Sequence, residues 1–334
     1  MPVDVSVVLP VFNGEKHLQA AVERLMTQRT AMANGADASF EVVIVDDGST
    51  DSSVEVARCL EQRFDRVHVF SMPQNSGVAA AREAAAAKCT GEFVWFIDDD
   101  DEWADDAIAR LLASARETGA DIVVAGARYV YSTGAPERAV GDPRLSGSVA
   151  ADAAFRLFLG GRISGHLWNK LFRRDLVSRI EFTRAQVHSD QAMVAQLLAA
   201  ASRITFIDDV VYRYLVRSGS IVRSGRKRSG SLLTVGGVVA NTAREMTPRM
   251  SHTSDFAYYY QRFIVSSALK DAISGAYSPP EEKLLFAQVR REIDVRGLVA
   301  VARRRDLKRL ALLLAGLGGR HLFRVFMRRT RTLT

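Results

Sequence analysis

An apolar run from Phe93 to Ile97 passes without a break into four consecutive carboxylates, Asp98 to Asp101. The run has the length of one buried strand. A strand that ends this way puts negative charge at the mouth of a sheet. Four neighbouring carboxylates repel one another, so a divalent cation or hydrogen-bond donors must offset them. The competing reading is an acidic helix start, because Asp favours a first turn and Ala104 to Ala115 has a helical pattern. That reading accounts for Asp101 and Glu102. It leaves Asp98 and Asp100 at the strand exit, where a metal site fits better if other strands end in matching polar groups.

Other apolar runs do end so. Val5 to Leu9 closes at Pro10, Glu41 to Val45 closes on Asp46-Asp47-Gly48-Ser49, and Val67 to Phe70 precedes Asn75-Ser76-Gly77. Helical patterns separate them: Glu15 to Gln28, Ser52 to Arg63 with capping-box spacing at Ser52 and Glu55, and an Ala-rich stretch to Lys88. Strand and helix alternate, and the strands are nearly continuous in apolar residues. Such a pattern predicts an α/β fold with a mostly parallel central sheet covered on both faces. Ligands of such sheets bind outside the carboxyl ends of the strands, which is where the polar clusters recur. Further strands are expected at Asp121 to Ala125, Arg128 to Tyr131, Ile204 to Ile207 and Val210 to Tyr214, with a helix opening at Asp190. Arg217 to Gly230 reads as a basic loop, and the chain after Leu232 is helical in pattern, with Pro279-Pro280 between two segments.

Length and charge narrow the function. With 334 residues the chain can form one large domain or two smaller ones. Cys59 and Cys89 are its only cysteines and have no ligand or disulfide spacing, which suits a cytoplasmic protein. The longest apolar run, Leu310 to Gly319, is about half the roughly 20 residues of a membrane span. Of 45 Lys and Arg residues, 11 lie from Arg296 onward against one acid, Asp306, so 34 bases face 37 acids before it. The body is therefore slightly acidic, and nucleic-acid binding through it is not expected.

The dinucleotide fingerprint and the P-loop are both missing. Mg²⁺ or Mn²⁺ held by Asp carboxylates is then the obvious way to neutralise a diphosphate, and it can also stabilise its departure. The pattern points to group transfer from a nucleotide-diphosphate donor.

The chain resembles a bacterial, non-processive family 2 glycosyltransferase with the GT-A fold. The resemblance rests on Pro10-Val11-Phe12-Asn13, VVIVDDGSTDSS from Val42, NSGVAAAR from Asn75 and FIDDDDEW from Phe96. It continues through LWNKLFRRDL from Leu167, HSD from His188 and YRYLVRSGSI from Tyr212, and leaves the C-terminal third uncovered. It implies a nucleotide-sugar half over residues 1–103, an acceptor half over 104–222, and a basic loop with helical extension over 223–334. Pro10 and Phe12 would lie at the nucleotide, with Phe12 against the base. Asp47 would accept from uracil N3–H, Arg82 would reach the base, and Asp46 would assist near the ribose. Asp98 and Asp100 match the D-x-D pair, the first for ribose and metal-bound water, the second as metal ligand. Asp190 matches the catalytic base of an inverting transfer, although Ser189 stands where the family usually has Glu. A helix N-cap is the other reading of Asp190, and Asp208-Asp209 is a rival acidic pair. Trp168, Asn169 and Lys170 would line or brace the acceptor side, and Arg223, Arg226, Lys227 and Arg228 would form either a lid over the diphosphate or a solvated charge run.

The tail alternates Arg303 to Arg305, Leu310 to Leu317 and Arg324 to Arg331. Two readings stand: a basic amphipathic contact with an anionic membrane, suited to a lipid-linked acceptor, or a packing and oligomerising helix. The expected function is metal-dependent, inverting transfer of a sugar (a hexosyl or N-acetylhexosaminyl group) from a UDP-sugar to a cell-surface glycan. The alternative is a non-catalytic module of the same fold that holds nucleotide sugar or glycan.

Overall fold

A computed structural model describes residues 2–32, 35–216 and 227–331. The chain forms two compact units, one of residues 1–155, 163–184 and 189–218, the other of 156–162, 185–188 and 219–334. The first unit carries the sheet. Its strands are β1 (Val5–Val11), β2 (Phe40–Asp46), β3 (Val67–Ser71), β4 (Phe93–Phe96), β5 (Glu102–Trp103), β6 (Ile122–Tyr131), β7 (Arg138–Ala139), β8 (Gly147–Ala150), β9 (Lys170–Arg173) and β10 (Arg203–Val216). The order is β3-β2-β1-β4-β9-β6-β10-β5, with β7 on β6 and β8 on β10. β1 to β4 are mutually parallel, as is the β6–β10 pair, whereas β9 runs antiparallel to both β4 and β6.

Helices α1 (Leu18–Met26), α2 (Ser53–Arg63), α3 (Val78–Ala86) and α4 (Ala107–Thr118) connect the early strands. Every residue of β1, β2 and β4 is buried, which is why these strands read as unbroken apolar runs and not as alternating ones. One core cluster joins Val7, Leu9, Ile44 and Trp95 to Leu18, Leu25, Leu111 and Leu112 of the helices.

Several boundaries differ from the sequence expectation. β1 does not stop at Pro10 but continues through it to Val11. Pairing with β4 ends at Val8 and Phe96, so the missing N–H of Pro10 lies beyond that ladder. The two strands expected at 122–131 form one, and so do those at 203–216. Asp208-Asp209 is not a turn between strands: it lies in β10, where the pairing with β6 shifts register between Phe206 and Val210. Gly126 makes room for that irregularity, since a Cβ there would stand 3.0 Å from the carbonyl oxygens of Asp208 and Asp209.

After α5 (Ala151–Leu159), α6 (Arg174–Val177) and α7 (Ser189–Ala200), the second unit is built from α8 (Ser229–Met246), α9 (Ser254–Tyr259), α10 (Ser266–Ala272), α11 (Pro279–Arg291), α12 (Val295–Arg303), α13 (Leu307–Leu317) and α14 (Arg320–Arg331). Pro279 and Pro280 occupy the first positions of α11 behind a Ser278–Glu281 capping box. Its core contains Val265, Leu269, Phe286, Val301, Leu313 and Phe323. The basic tail is thus part of a core and not an appendage.

Candidate active site

The carboxyl ends of β1, β2 and β4 converge, and their loops are knitted together. Asn13 adopts a left-handed φ of 54° and accepts from the Thr50 N–H at 2.9 Å, while its own N–H donates to Ser49 Oγ at 2.9 Å. Gly48, with φ 69°, passes so close to the backbone of Gln74 that a Cβ would lie 2.5 Å from its carbonyl carbon. Gly14 admits the Asp99 carboxylate, which a Cβ would meet at 2.2 Å. At the mouth of this frame Phe12 is 48% exposed, whereas Pro10 is buried in the strand.

Asp46 and Asp47 are both buried and both hold turns. Asp46 accepts from the N–H groups of Gly48 and Ser49, and Asp47 from those of Ser76 and Gly77 at 2.7 and 2.8 Å. Asp47 thereby fixes the start of α3. That helix carries Arg82, only 3% exposed, whose guanidinium donates to Asp190 Oδ1 at 2.5 Å and to Asp98 Oδ1 at 3.0 Å. Burial works against the Arg82 charge, but Asp190 and Asp98 outweigh it and raise its pKa. Residues 16 and 108 positions apart in sequence from Arg82 are thus held by one cation.

Asp190 is the second residue of α7 and not its cap. Its Oδ1 accepts from Arg82, and its side chain is 22% exposed. The rival Asp209 is committed elsewhere, accepting from Arg110 at 2.5 Å.

The Asp98–Asp101 tetrad divides. Asp101 is 4% exposed and accepts from the Tyr212 hydroxyl at 2.9 Å and the Leu215 N–H at 2.8 Å. Burial, followed by the charge of Asp98, pushes its carboxyl up to about 8. Asp98 is shifted upward too, by burial first and then by Asp190 and Asp100, against the pull of Arg82. Asp98, Asp99 and Asp100 are partly exposed. Hard carboxylate oxygens crowded at a partly open strand exit are the donor type that suits a Mg²⁺- or Mn²⁺-sized cation. Among the described residues no group of three ligating side chains converges.

The acceptor-side motif is interior. Trp168 is 2% exposed and stacks at 4.6 Å on both His166 and Tyr212, so its faces are taken. Asn169 donates to the Ala125 carbonyl at 2.8 Å. Lys170 is fully buried and donates to the His166 carbonyl at 2.6 Å, Asn169 Oδ1 at 2.9 Å and Ser164 Oγ at 3.2 Å. These three residues brace the segment and do not line a surface. The basic-loop residues Arg223 and Arg226 lie outside the described residues. Lys227 pairs with Glu281 at 2.8 Å, and the Arg228 N–H donates to Asp271, both within the second unit.

Two groups had no role assigned from sequence. Tyr212 accepts from the Asp98 N–H at 3.2 Å while donating to Asp101, so it fixes the strand exit from below. Tyr129, His166 and Tyr214 form a partly exposed aromatic group, with the Tyr129 hydroxyl 2.8 Å from His166 Nε2. Tyr129 lies on β6 opposite Tyr214 of β10, and His166 precedes β9; nothing in the sequence brought the three together.

The sequence profile described as glycosyl transferase family 2 matches residues 6–180, more than half of the chain. The chain belongs to that family. GlyG, a glycosyltransferase of Streptococcus pneumoniae, is 28% identical over 241 residues, covering 66% of this chain and 73% of its own. Among solved structures, residues 1–349 of S. aureus TarS in complex with UDP-GlcNAc align with a TM-score of 0.66 at 19% identity, covering 93% of this chain and 90% of that one. The longer TarS chain is spanned to 55%. The mannosyltransferase PcManGT of Pyrobaculum calidifontis, in complex with GDP-Man and Mn²⁺, aligns with a TM-score of 0.53 at 16% identity over 95% of this chain and 88% of that one. These likenesses establish the GT-A-like fold with a C-terminal helical region.

Proposed function

We propose that this glycosyltransferase moves a sugar from a UDP-sugar to a hydroxyl of a bacterial cell-surface glycan or lipid-linked acceptor, with inversion and with Mg²⁺ or Mn²⁺. The observation that carries the reading is the Arg82 bridge between Asp98 and Asp190. It holds within the span of one guanidinium the two carboxylates to which this reading gives the donor and the acceptor proton. The UDP-GlcNAc complex of TarS supports the choice of donor.

Each part then has a task. Phe12 offers its exposed ring to the base. Asp47 holds the 76–77 turn beside it, and Asp46 holds the loop behind. Asp98 and Asp100 would hold the cation, which when bound neutralises the diphosphate. Asp190 takes the acceptor proton on its second oxygen as the hydroxyl attacks C1 from the face opposite the diphosphate. Arg82 keeps Asp190 oriented. The acceptor ring rests on Tyr129, His166 and Tyr214 and not on Trp168; Tyr214 lies close enough to Asp101, Asp98 and Asp100 that burial and their charges push its hydroxyl up to about 12.

The test has two parts. UDP titrated calorimetrically should bind at least about tenfold more weakly in EDTA than in Mn²⁺, and Asp100→Ala should imitate the chelator. Equal affinity in both buffers rejects the metal. Asp190→Asn keeps size and removes the proton acceptor, so transfer should fall by at least about a hundredfold while UDP affinity holds, and Tm should drop because the buried Arg82 keeps only one of its two charged partners. A variant that still transfers sugar places the base elsewhere.

A further inference from the structure

The tail's basic residues divide into paired and unpaired ones. Arg304 pairs with Asp255, Arg309 with Asp306, and Arg320 and Arg324 with the buried Glu282. Arg303, Arg305 and Lys308 are exposed and have no acidic partner among the described residues. They surround Leu307, which is 68% exposed at the corner between α12 and α13. Lys270 of α10 adds to the same field. Its pKa is lowered first by burial and then by Arg309 and Lys308, with Asp306 alone opposing.

From that corner an apolar stripe follows α13. Leu312, Leu313, Ala315 and Gly316 face the core, so this helix needs no further burial to be stable. Its opposite side is nevertheless apolar. Leu307, Ala311 and Leu314 are exposed at spacings of four and three, the last at 51%. Leu322 of α14, 50% exposed, continues the stripe by lying over Gly318, where a Cβ would meet its Cδ2 at 2.4 Å. Single exposed leucines are ordinary, but three aligned on one face and headed by unpaired cations are not.

We propose that this face, Leu307–Leu314–Leu322 with Arg303, Arg305 and Lys308, docks on an anionic lipid surface. The apolar stripe enters the boundary between headgroups and acyl chains, and the cations meet lipid phosphates. A second copy of the chain fits poorly. Arg303, Arg305 and Lys308 would each need an acidic partner on the facing copy, and from Arg296 onward the chain has one acid. The one acid of the segment, Asp306, is occupied with Arg309 and with the first turn of α13.

The experiment is cosedimentation of the full chain with vesicles of phosphatidylcholine alone or with about a third phosphatidylglycerol. Binding is expected to the anionic vesicles only, and it should weaken in high salt. Leu307→Ser with Leu314→Ser, and separately Arg303→Gln with Arg305→Gln and Lys308→Gln, should each lower the vesicle partition coefficient at least about tenfold with Tm unchanged. All five residues are exposed, so folding is not at stake. Three results overturn the proposal: wild type that stays with neither vesicle, partition unaffected by both variants, or light scattering that shows a dimer dissolved by the leucine pair. The last assigns the face to a second copy.

Discussion

At the residue scale the site depends on how charge is held away from water. Arg82 has two carboxylate partners and almost no exposure, an arrangement that persists only because both charges around it are fixed in place. Lys170 is the contrasting case: a buried cation with three neutral oxygens around it. Burial lowers its pKa to about 7, and Asp190 only partly offsets that. In the unfolded chain a Lys holds its proton to about 10.4. Between those values the unfolded state binds the extra proton, so stability rises with pH across the window. The slope should reach up to about 1.4 kcal/mol per pH unit above pH 7. Asp101, whose carboxyl is pushed up to about 8, opposes this slope below pH 8, because there the fold holds a proton that the unfolded chain has lost. The Lys170 share is therefore read as a difference: on going from pH 7 to 8.5 the urea midpoint should move further upward in the wild type than in Lys170→Met. Equal movement in the two proteins would mean that Lys170 keeps its proton in the fold.

At the element scale the proposed reading gives the binding to the strand exits, and Phe12 tests this. Its ring is half exposed at the end of β1, where it contributes little to the core. Removing a stacking aromatic costs about 1–3 kcal/mol per base. Phe12→Ala should weaken UDP by roughly five- to a hundredfold, measured by calorimetry, with Tm nearly unmoved. Unchanged affinity would return Phe12 to a loop filler. The exits of β1, β2 and β4 were legible because parallel, doubly covered strands leave unbroken apolar runs that must stop where the polar loops begin. β10 was not legible as one strand, since Asp208-Asp209 interrupts its apolar pattern and only the space above Gly126 shows why the strand continues. Asp190 was legible as a helix start, but its ion pair with Arg82 spans 108 residues and depends on topology that no local pattern carries. Trp168 was left between lining and bracing the acceptor side for a related reason. A Trp beside polar residues suggests a sugar platform, while the rings that cover it, His166 and Tyr212, come from a neighbouring turn and a distant strand.

At the scale of the whole molecule, segregated charge suggested a tail separable from the body, and packing says otherwise. Glu282, buried on α11, accepts from Arg320 at 3.2 Å and also from Arg324, so the last helix is tied across the unit by charge as well as by its apolar side. Phe323 is fully buried against Phe286 at 5.4 Å between ring centroids. Deleting everything after residue 295 would strip Val301, Leu312, Leu313 and Phe323 from one core cluster and would report on unfolding, not on the tail's role. A single truncation within that core is the informative change. Phe323→Ala should destabilise the C-terminal unit by about 3–5 kcal/mol, the range for a large buried aromatic replaced by Ala. Hydrogen exchange should then speed up at the amides of α10 and α13, while those of β1, β2 and β4 stay protected. UDP affinity should hold, because Phe12, Asp47, Arg82, Asp98 and Asp100 all lie in the first unit. Loss of protection in the sheet as well would show that the two units unfold together and that the stability of the donor site depends on the last helix.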